Sequence, residues 1–319
     1  MDRFIVALRE CLHPGKYVIA FSGGADSTAL VLAAVELHKS NASYEFVAVH
    51  VEHGLRGDEG LRDMEFAQSF CQARALSCCV KRVDVSARVQ LTGDSVEQAA
   101  RDLRYRALLD VAVREGAKKI ITAHHANDQA ETLLLHLVRG SGLKGLGGMQ
   151  RETPLVLRPF LGFSKQELME YCRSKGAVWV EDGSNNDIEY SRNYVRQEVM
   201  PLLLKLNPMV VQNLCQTAKT LQEDEAVLNE VAEKVLQQRA GGEELGTENW
   251  AVMPAAVRKR VIKLWLMKFR VEPSWTHISN VDKLIINGTS NKELALPGVT
   301  VRYAYRKIIV SRNVQHIRH

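Results

Sequence analysis

The sequence predicts an α/β protein with a doubly wound, mostly parallel five-stranded sheet, followed by a smaller α+β domain. Short apolar runs alternate with helix-length segments as far as Val180, a pattern typical of a parallel sheet covered by helices on both faces. A polar loop at 181–191 and longer helical stretches then replace that alternation. We place the domain boundary near Asn207, with one domain over 1–206 and the other over 207–319.

The elements of the first domain follow from the spacing of apolar residues. The predicted strands are Tyr17–Phe21, Phe46–Val51, Cys79–Val85, Lys119–Ala123 and Val178–Val180. The helical segments are 1–14, Ser27–Lys39, Asp58–Arg74 and Ser95–Glu115. Ser95 and Gln98 have the spacing of a capping box at the start of the last of these helices.

The second domain is predicted to be helical with a small sheet. Its first helix covers 209–239 and ends before a break at Gly241–Gly242. Pro254 opens a further helix, because proline is favoured in a first turn. Residues 293–310 alternate in the manner of a hairpin, with its turn at Pro297–Gly298.

Composition excludes several classes of protein. No apolar run approaches the roughly 18 residues that a membrane helix needs. Charged residues near the N-terminus interrupt any signal-peptide core. We therefore expect a cytoplasmic protein without a membrane partner. The six cysteines form no C-x-x-C pair, so the sequence indicates neither a zinc ribbon nor an iron–sulfur site.

The net charge of +5 conceals an asymmetry along the chain. Residues 249–319 carry 13 Lys or Arg against 3 Asp or Glu, whereas residues 1–248 carry 29 against 34. A basic terminal segment on a mildly acidic body indicates a polyanionic partner. An inert, solvated basic surface is the alternative.

A glycine-containing loop directly follows the first predicted strand. Its residues are Ser22, Gly23, Gly24, Ala25, Asp26 and Ser27. The glycines let the backbone approach an anion, and the amides point at any group on the helix N-terminus. We assign all six residues to the phosphates of ATP. An acidic side chain in such a loop indicates a Mg²⁺ ion that bridges Asp26 to the phosphates; the alternative is a glycine turn in which Asp26 only favours the helix dipole.

A second polar cluster follows the predicted strand Lys119–Ala123. This strand should return beside the first one, and doubly wound sheets bind ligands at such a reversal. His124 lies at the strand exit, and Asp128 and Glu131 lie one helical turn apart. The carboxylates would hold Mg²⁺ or a cationic amine, and His124 would steady charge on the α-phosphate. The alternative is a helix N-terminus with Asn127 as its cap.

Polar residues on two neighbouring elements are expected to face the same site. His50 closes the second strand, within the run H-V-E-H-G-L-R, and we assign it to ATP. Glu97, Arg101 and Arg104 share one face of the following helix. Beside an ATP site, Arg104 is predicted to clamp a phosphate; a surface ion-pair ladder is the alternative.

The segment Arg139–Gly145 is rich in glycine and carries two cations, Arg139 and Lys144. Its length and flexibility are typical of a lid over an active site. An inert linker is the alternative interpretation.

The glycine loop resembles the PP-loop of the ATP pyrophosphatase superfamily, whose Rossmann-like domains cleave ATP between the α and β phosphates. The loop alone leaves open NAD, GMP, asparagine and argininosuccinate synthetases, tRNA thiolases and lysidine synthetases. The further motifs narrow this choice: E-Q-A-A-R-x-x-R-Y, A-H-H-A-N-D-Q-A-E-T, R-G-S-G-L-x-G and E-D-G-S-N-N-D-x-x-Y-S-R-N-Y-V-R. With them, residues 17–201 resemble the tRNA(Ile)-lysidine synthetases, and the tail more loosely resembles the first C-terminal domain of that family.

The resemblance implies an ATP-dependent and Mg²⁺-dependent ligase that joins free L-lysine to the wobble cytidine of the tRNA(Ile) with a CAU anticodon. ATP adenylates O2 of that cytosine, and the ε-amine of lysine then displaces AMP at C2. The residues with implied catalytic roles are Asp26, His124, Asp128, Glu131, Arg104 and Arg196. The residues expected to contact RNA are Arg101, Arg104, Arg139, Lys144, Arg192, Arg196, Arg258, Lys259 and Arg260.

Two other functions and the oligomeric state are left open. A PP-loop tRNA thiolase needs a cysteine nucleophile or paired cysteines near the site, and no cysteine lies within the motifs. In a nucleotide-binding sensor that does not turn over ATP, the acidic residues of the predicted site would have no function. A homodimer is compatible with the sequence.

Overall fold

The computed structural model describes residues 2–55, 57–181 and 191–312. The chain divides into two compact units, Met1–Lys219 and Thr220–His319, and the division falls within the long helix α11 (Val210–Arg239). The predicted boundary near Asn207 stays a prediction. Arg56 and most of the predicted polar loop lie outside the described residues.

The first unit is built around a parallel sheet. In the part of the chain that the structure describes, five strands pair in the order β3-β2-β1-β4-β5, and each pair is parallel. The strands are β1 (Gly15–Ala20), β2 (Tyr44–Glu52), β3 (Ser77–Arg82), β4 (Ile120–Ile121) and β5 (Val156–Leu157). The return beside β1 is confirmed, because β4 pairs with it. The strand order therefore reverses between β1 and β4, which creates a switch point.

Helices cover both faces of this sheet and confirm the predicted doubly wound α/β fold. Their bounds are α1 (Arg3–Glu10), α2 (Ala25–Ser40), α3 (Asp58–Gln72), α4 (Val85–Thr92), α5 (Val96–Arg114), α6 (Ala126–Val138), α7 (Leu143–Leu146), α8 (Lys165–Ser174), α9 (Ser191–Tyr194) and α10 (Met200–Leu206). Helices α1, α2 and α8 share one core with the sheet, and α5 contributes Leu108 to the core on the other face. Helix α2 is apolar on most sides because it is buried between neighbours.

The predicted fifth strand is wrong. Val178–Val180 is irregular, although the backbone N–H of Val180 donates to the carbonyl of Gly23 at 3.0 Å. The edge position beside β4 belongs instead to β5. Pro154 lies just before that short strand, and proline beside a two-residue apolar run reads as a loop.

The second unit combines helices with an antiparallel sheet. Beyond α11, its helices are α12 (Ala255–Met267) and α13 (Trp275–Asn287). Its strands are β6 (Ala240–Gly241), β7 (Glu244–Gly246), β8 (Lys292–Leu296), β9 (Val299–Ala304) and β10 (Lys307–Arg312), in the sheet order β6-β7-β10-β9-β8. Helices and sheet pack on one core that includes the fully buried Trp265. None of the helices in the described ranges is long and apolar enough to cross a membrane.

The predicted terminal hairpin is part of a three-stranded meander. The turn at Pro297–Gly298 is confirmed, because it joins β8 to β9. A second turn, Tyr305–Arg306, adds β10. Both residues have positive φ angles of 52° and 57°, a conformation that favours glycine or asparagine. Tyrosine and arginine are not typical turn residues, so the sequence did not predict this turn.

Candidate active site

The loop after β1 is folded against the first turn of α2. The Ser27 hydroxyl donates to the carbonyl of Gly24 at 3.1 Å and accepts the backbone N–H of Ser22 at 3.2 Å. Gly23 has a φ of +90°, and a Cβ at this position would lie 3.3 Å from the ring of Phe66. Glycine is therefore required here by both conformation and space. The loop places the N-terminal amides of α2 at the carboxyl end of the sheet, which is the arrangement that binds phosphate groups.

A cleft of about 690 Å³ opens at this end of the sheet. The residues from the sequence analysis that line it are Ser22, Asp26, Ser27, His50, Glu97, Arg104, His124, Asp128 and Arg192. The strand order thus brings the phosphate loop, the end of β2, the start of α5 and the polar cluster after β4 to one cavity.

Two histidines line the cleft from neighbouring strand ends. Nδ1–H of His50 donates to the carbonyl of Phe21 at 3.1 Å, and burial lowers the pKa of His50. Nδ1 of His124 lies 2.8 Å from the hydroxyl of Thr122. Burial lowers the pKa of His124 to about 3 despite the nearby carboxylate of Asp128. His124 is therefore neutral at physiological pH and acts as a hydrogen-bonding group, not as a cation.

His125, which the sequence analysis did not assign, lies between the phosphate loop and the carboxylates of α6. Its side chain is 3% exposed, and its Nε2 lies 3.4 Å from Oδ2 of Asp26 and 3.5 Å from Oδ2 of Asp128. Burial alone would lower the pKa of His125, but the two carboxylates outweigh burial and raise it. Asp26 and Asp128, which are far apart in sequence, thus share one neighbour.

The same histidine also caps α6. Its Nδ1 accepts the backbone N–H of Asp128 at 3.4 Å, and Oδ2 of Asp128 accepts the backbone N–H of His125 at 3.1 Å. This reciprocal pair is a capping box. The alternative with Asn127 as the cap is wrong, because the amide oxygen of Asn127 accepts the N–H of Lys165. The spacing of histidine and aspartate at three residues was the signal that would have identified this cap.

Two arginines neutralise the carboxylates of α6. Arg192 lies on α9, and Arg196 lies on the π-helical turn Val195–Val199, a distortion that is frequent at functional sites. Arg196 donates through Nε and Nη2 to the two oxygens of Glu131 at 2.7 and 2.9 Å. Nε of Arg192 donates to the same carboxylate at 2.9 Å. This fork holds Glu131, whose side chain is 3% exposed, in one orientation.

Asp128 is the more loosely held carboxylate of the two. Arg192 and Arg196 reach its Oδ1 only at 3.3 and 3.4 Å. Burial opposes ionisation of Asp128, but the electrostatic attraction of the neighbouring His125 and Arg192 outweighs it and lowers the pKa of Asp128. Asp128 lines the cleft, whereas the buried Glu131 does not. The two predicted catalytic carboxylates therefore have different environments.

Arg104 extends from α5 into the cleft. Its Nε is buried and has no hydrogen-bond partner within the described ranges, and its guanidinium lies 5.5 Å from the ring of Tyr105. The guanidinium of Arg101 lies 5.3 Å from the same ring, and Arg101 is exposed and does not line the cleft. No ion pair joins Glu97 to either arginine in the described part of the chain. The geometry thus gives Arg104 a free donor near the phosphate loop.

The segment Arg139–Gly145, the predicted lid, is a compact turn. Arg139 caps the C-terminus of α6, and the chain then turns through Gly140 into α7. Nδ1–H of His136 donates to the carbonyl of Gly145 at 2.5 Å. Arg139 and Lys144 are exposed and do not line the cleft. The lid and the RNA contacts of this segment stay predictions.

Arg258, a predicted RNA contact, lies inside the second unit. Its Nε and Nη2 donate to the two oxygens of Asp282 at 2.9 and 3.1 Å. Nε1–H of Trp250 donates to the same carboxylate at 2.9 Å. Asp282 is 4% exposed, and its hydrogen bonds raise the pKa of Arg258. The guanidinium therefore joins α12 to α13 and leaves little of its donor capacity for a partner.

The two neighbours of Arg258 have different surroundings. Arg260 forms an ion pair with Glu225 on α11, and both side chains are largely buried. Lys259 lies 5.0 Å from the ring of Trp275, which is 73% exposed. Of the three consecutive cations, Lys259 is the one that accompanies an exposed aromatic side chain. The RNA contacts predicted for all three residues stay predictions.

The cysteine beside the phosphate loop is unreactive. Cys172 is fully buried and its Sγ–H donates to the carbonyl of Ala25 at 3.4 Å. Burial raises the pKa of Cys172 to about 12. A thiol that stays protonated at physiological pH is a poor nucleophile.

Comparison with protein families assigns both units. A family model described as a PP-loop domain matches residues 3–203, and one described as a TilS substrate binding domain matches residues 245–309. The solved structure of the U34-tRNA thiolase NcsA from Methanococcus maripaludis, with its [4Fe-4S] cluster, superposes with a TM-score of 0.58 at 16% identity. That likeness covers 69% of this chain and 78% of the thiolase, and it concerns the fold alone.

Curated proteins named tRNA(Ile)-lysidine synthase are similar over most of the chain. The Geobacter sulfurreducens protein is 33% identical over 96% of this chain and 67% of its own length. The Pseudomonas aeruginosa protein is 36% identical over 89% of this chain and 66% of its own length, and the Geobacillus kaustophilus protein is 32% identical over 96% and 69%. The chain thus spans about two thirds of the length of these relatives. It belongs to the tRNA(Ile)-lysidine synthase family.

Proposed function

We propose that the protein forms lysidine on the tRNA(Ile) with a CAU anticodon, and that it uses ATP and free L-lysine. The observation that carries this proposal is that the phosphate loop and the carboxylates of α6 meet in one cleft, where His125 contacts both. A ligation of this kind needs a polyphosphate site and an acidic group for an ammonium within reach of one reacting base. Relatives of similar sequence carry the name of this activity.

The first step transfers AMP to the cytosine. O2 of the wobble base attacks the α-phosphorus of ATP, the bond from that phosphorus to the bridging oxygen breaks, and pyrophosphate leaves. The amides of α2 and the hydroxyls of Ser22 and Ser27 bind the phosphates. Arg104 supplies a donor to the charge that develops on the reacting phosphate. His124, being neutral, contributes a hydrogen bond.

The residues at the phosphate loop suit a Mg²⁺ ion. Oδ1 of Asp26 is buried and has no hydrogen-bond partner among the described residues, whereas Oδ2 faces His125. An unpaired carboxylate oxygen beside a phosphate site is a ligand that Mg²⁺ prefers. We assign Asp26 as the protein ligand. The ion, when bound, offsets the negative charge on the departing pyrophosphate.

The second step joins lysine to the base. The ε-nitrogen attacks C2 of the adenylated cytosine, the C2–O2 bond breaks, and AMP leaves with the oxygen. Lysine arrives as an ammonium and must lose a proton before its nitrogen can attack. Asp128 is the proposed partner of this ammonium, because it lines the cleft and its Oδ1 has only long contacts. Glu131 anchors Arg192 and Arg196.

The tRNA is proposed to contact cationic side chains. These are the exposed Arg101, Arg139 and Lys144 and the half-buried Lys259 beside the exposed Trp275, and contacts of this kind go to phosphates. Arg192 and Arg196 already donate to the carboxylates of α6, so an RNA contact requires them to share those ion pairs. The basic charge of the second unit favours binding of the tRNA body.

A tRNA thiolase is the alternative enzyme. The fold is shared with such a protein, but the cysteine nearest the phosphate loop is buried and protonated. A non-catalytic sensor is the other alternative, and it leaves the paired charges of α6 without a task.

Nucleoside analysis tests the proposal directly. The protein is incubated with ATP, Mg²⁺, labelled lysine and a tRNA(Ile) transcript with a CAU anticodon, and the digested nucleosides are separated by mass. We expect labelled lysidine, together with AMP and pyrophosphate. A transcript with uridine at the wobble position is the matched control and should stay unlabelled. Pyrophosphate release without lysine incorporation, or sulfur incorporation in a reaction without lysine, would contradict the proposal.

A further inference from the structure

His125 is the side chain that connects the two halves of the site. Its Nε2 lies within 3.5 Å of one oxygen from each of two carboxylates, Asp26 on α2 and Asp128 on α6. The ring is almost fully buried, so water does not replace these contacts. The two proposed reaction steps assign no task to the Nε2 of His125. It is therefore a candidate for a function of its own.

The hydrogen bonds of the ring fix where its proton lies. Nδ1 accepts the backbone N–H of Asp128, so this nitrogen carries a lone pair and Nε2 carries the hydrogen. The Nε2–H is therefore the donor of the ring that lies beside the two carboxylates, at N···O distances of 3.4 and 3.5 Å. Without this donor, the two ionised carboxylates would lose the group that lies beside both of them, and their mutual repulsion would favour turning the partly exposed Asp26 away.

The contact also determines which oxygen of Asp26 remains available. Oδ2 is the atom that faces His125, and Oδ1 is buried without a partner among the described residues. A carboxylate held at one oxygen has its second oxygen in a defined place. That order is what a metal ligand in a phosphate site needs.

We propose that His125 is a positioning residue that holds Oδ2 of Asp26 and thereby presents Oδ1 to the Mg²⁺ of bound ATP. This inference rests on the proposed role of Asp26 as the Mg²⁺ ligand. The loop amides bind the phosphates whether or not a metal is present. The increase in ATP affinity that Mg²⁺ produces should therefore require His125. The affinity for ATP in the absence of metal should not.

Two substitutions separate this role from the capping of α6. Asparagine is a favoured N-cap, so His125→Asn keeps an acceptor for the N–H of Asp128 but has no donor at the position of Nε2. His125→Gln has a longer side chain, which brings an amide N–H toward that position. His125→Ser, another favoured cap without a distant donor, replaces the asparagine variant if that variant does not fold.

The test is the affinity of the full chain for a non-hydrolysable ATP analogue, measured by calorimetry in Mg²⁺ and in EDTA, with thermal unfolding in parallel. Mg²⁺ should increase the affinity of the wild-type protein for the ATP analogue. For His125→Asn we expect binding about tenfold weaker in Mg²⁺, the loss typical of one hydrogen bond to a charged group, and unchanged binding in EDTA. His125→Gln should recover part of the loss, and the melting temperature should change little.

Each other result overturns the inference. A full Mg²⁺ gain in His125→Asn means that Asp26 needs no positioning, and an equal loss in Mg²⁺ and EDTA means that the role is structural. A wild type without any Mg²⁺ gain removes both the metal assignment of Asp26 and this inference. Lysidine formation by the wild type, measured separately, distinguishes those failures from a failure of the proposed function.

Discussion

At the scale of single residues, Asp26 contributes through an oxygen that has no partner in the described part of the chain. Replacing its carboxylate by the isosteric amide removes the charge and keeps the shape. We expect Asp26→Asn to slow pyrophosphate release on addition of tRNA by about 100-fold or more, because a group that offsets charge in the transition state is lost. Binding of tRNA, measured by filter retention, should be nearly unchanged.

The matched control for this substitution is Glu170→Gln. Glu170 is exposed on α8, where it accepts a hydrogen bond from Gln166, and it loses the same charge by the same change of atoms. It should release pyrophosphate at the wild-type rate. Equal loss of tRNA binding and pyrophosphate release in Asp26→Asn would show that the substitution disturbs the fold and not the phosphate site.

The burial of His124 predicts how the stability of the fold depends on pH. Burial lowers its pKa from 6.5 to about 3, so the unfolded chain takes up a proton at a pH where the folded chain does not. The fold therefore loses stability as the pH falls from 6.5 toward 3, and no such loss occurs above 6.5. We expect the urea midpoint to fall less between pH 7 and pH 4.5 in His124→Asn than in the wild type.

A direct measurement accompanies this prediction. The ring signals of His124, followed by NMR, should not shift between pH 5 and pH 8, since the ring stays neutral throughout that range. A titration of the His124 ring with a midpoint near 6.5 would contradict both the burial of the ring and its neutral role in the first step.

At the scale of elements, the ion pair of Arg258 holds the second unit together. Arg258, Asp282 and Trp250 connect α12, α13 and the short 3₁₀ turn Trp250–Val252. We expect Arg258→Met to lower the free energy of unfolding by about 3–5 kcal/mol, because it leaves a buried carboxylate without its cation. Urea unfolding followed by tryptophan fluorescence measures this change, since Trp250 and Trp265 lie in that core.

Lys263→Met on the same helix is the control. Lys263 is part of no ion pair in the described part of the chain, and the same type of substitution there should change the unfolding free energy by about 0.5 kcal/mol or less. If Arg258→Met unfolds at the wild-type urea concentration and weakens tRNA binding instead, Arg258 contacts RNA after all.

Helical geometry explains why the three cations at 258–260 differ. Successive residues of an α-helix are rotated by about 100°, so three consecutive side chains point in three directions. One of them must face the core when a helix packs against a sheet and a second helix. A count of charges along the sequence places the three residues on one basic surface. Their different directions around the axis of α12 give them different neighbours.

At the scale of the whole molecule, the positive charge of the C-terminal 71 residues makes a prediction about salt. We expect the double substitution Lys259→Gln and Lys268→Gln to weaken tRNA binding. It should also reduce the slope of log K against log salt by between about 1 and 2, because fewer counterions are released when the protein contacts fewer phosphates. Binding measured between 50 and 300 mM salt gives this slope.

The control removes the same charge from the first unit. Lys81→Gln with Arg114→Gln eliminates two cations that pair with Asp110, so this variant has the same net charge as the test variant. Its salt slope should equal that of the wild type. Equal slopes for all three proteins would show that tRNA binds without Lys259 and Lys268.

Much of the fold was predictable because its signals are local. Helices α2, α3 and α5 and strands β1 to β3 agree with the predicted segments to within a few residues, since apolar periodicity and caps are read within a short window. Strand β4 lies within the predicted segment Lys119–Ala123, whereas the two-residue strand β5 leaves almost no pattern. The position of β5 beside β4 depends on which segment fits the open edge, and Val178–Val180 offered an equally apolar candidate.

The candidate site was predictable in its parts and not in its connections. The glycine loop and the residues after β4 are contiguous motifs, so their residue types indicated phosphate and carboxylate chemistry. The pairing of Arg192 and Arg196 with Glu131 spans more than 60 positions. The link between Asp26 and His125 joins two different strand ends. Such partners depend on side-chain directions that no window of sequence contains.

The sequence by itself determined that a phosphate loop begins α2, that a histidine and two carboxylates follow a neighbouring strand, and that positive charge is concentrated toward the C-terminus. Backbone propensity, apolar period and charge are properties of nearby residues, so they can be read along the chain. Only the tertiary structure decided that His125 is the shared neighbour of Asp26 and Asp128, that arginines cover Glu131, and that Arg258 is internal. These facts depend on packing between distant segments, where a change of one rotamer or one helical phase chooses a different partner.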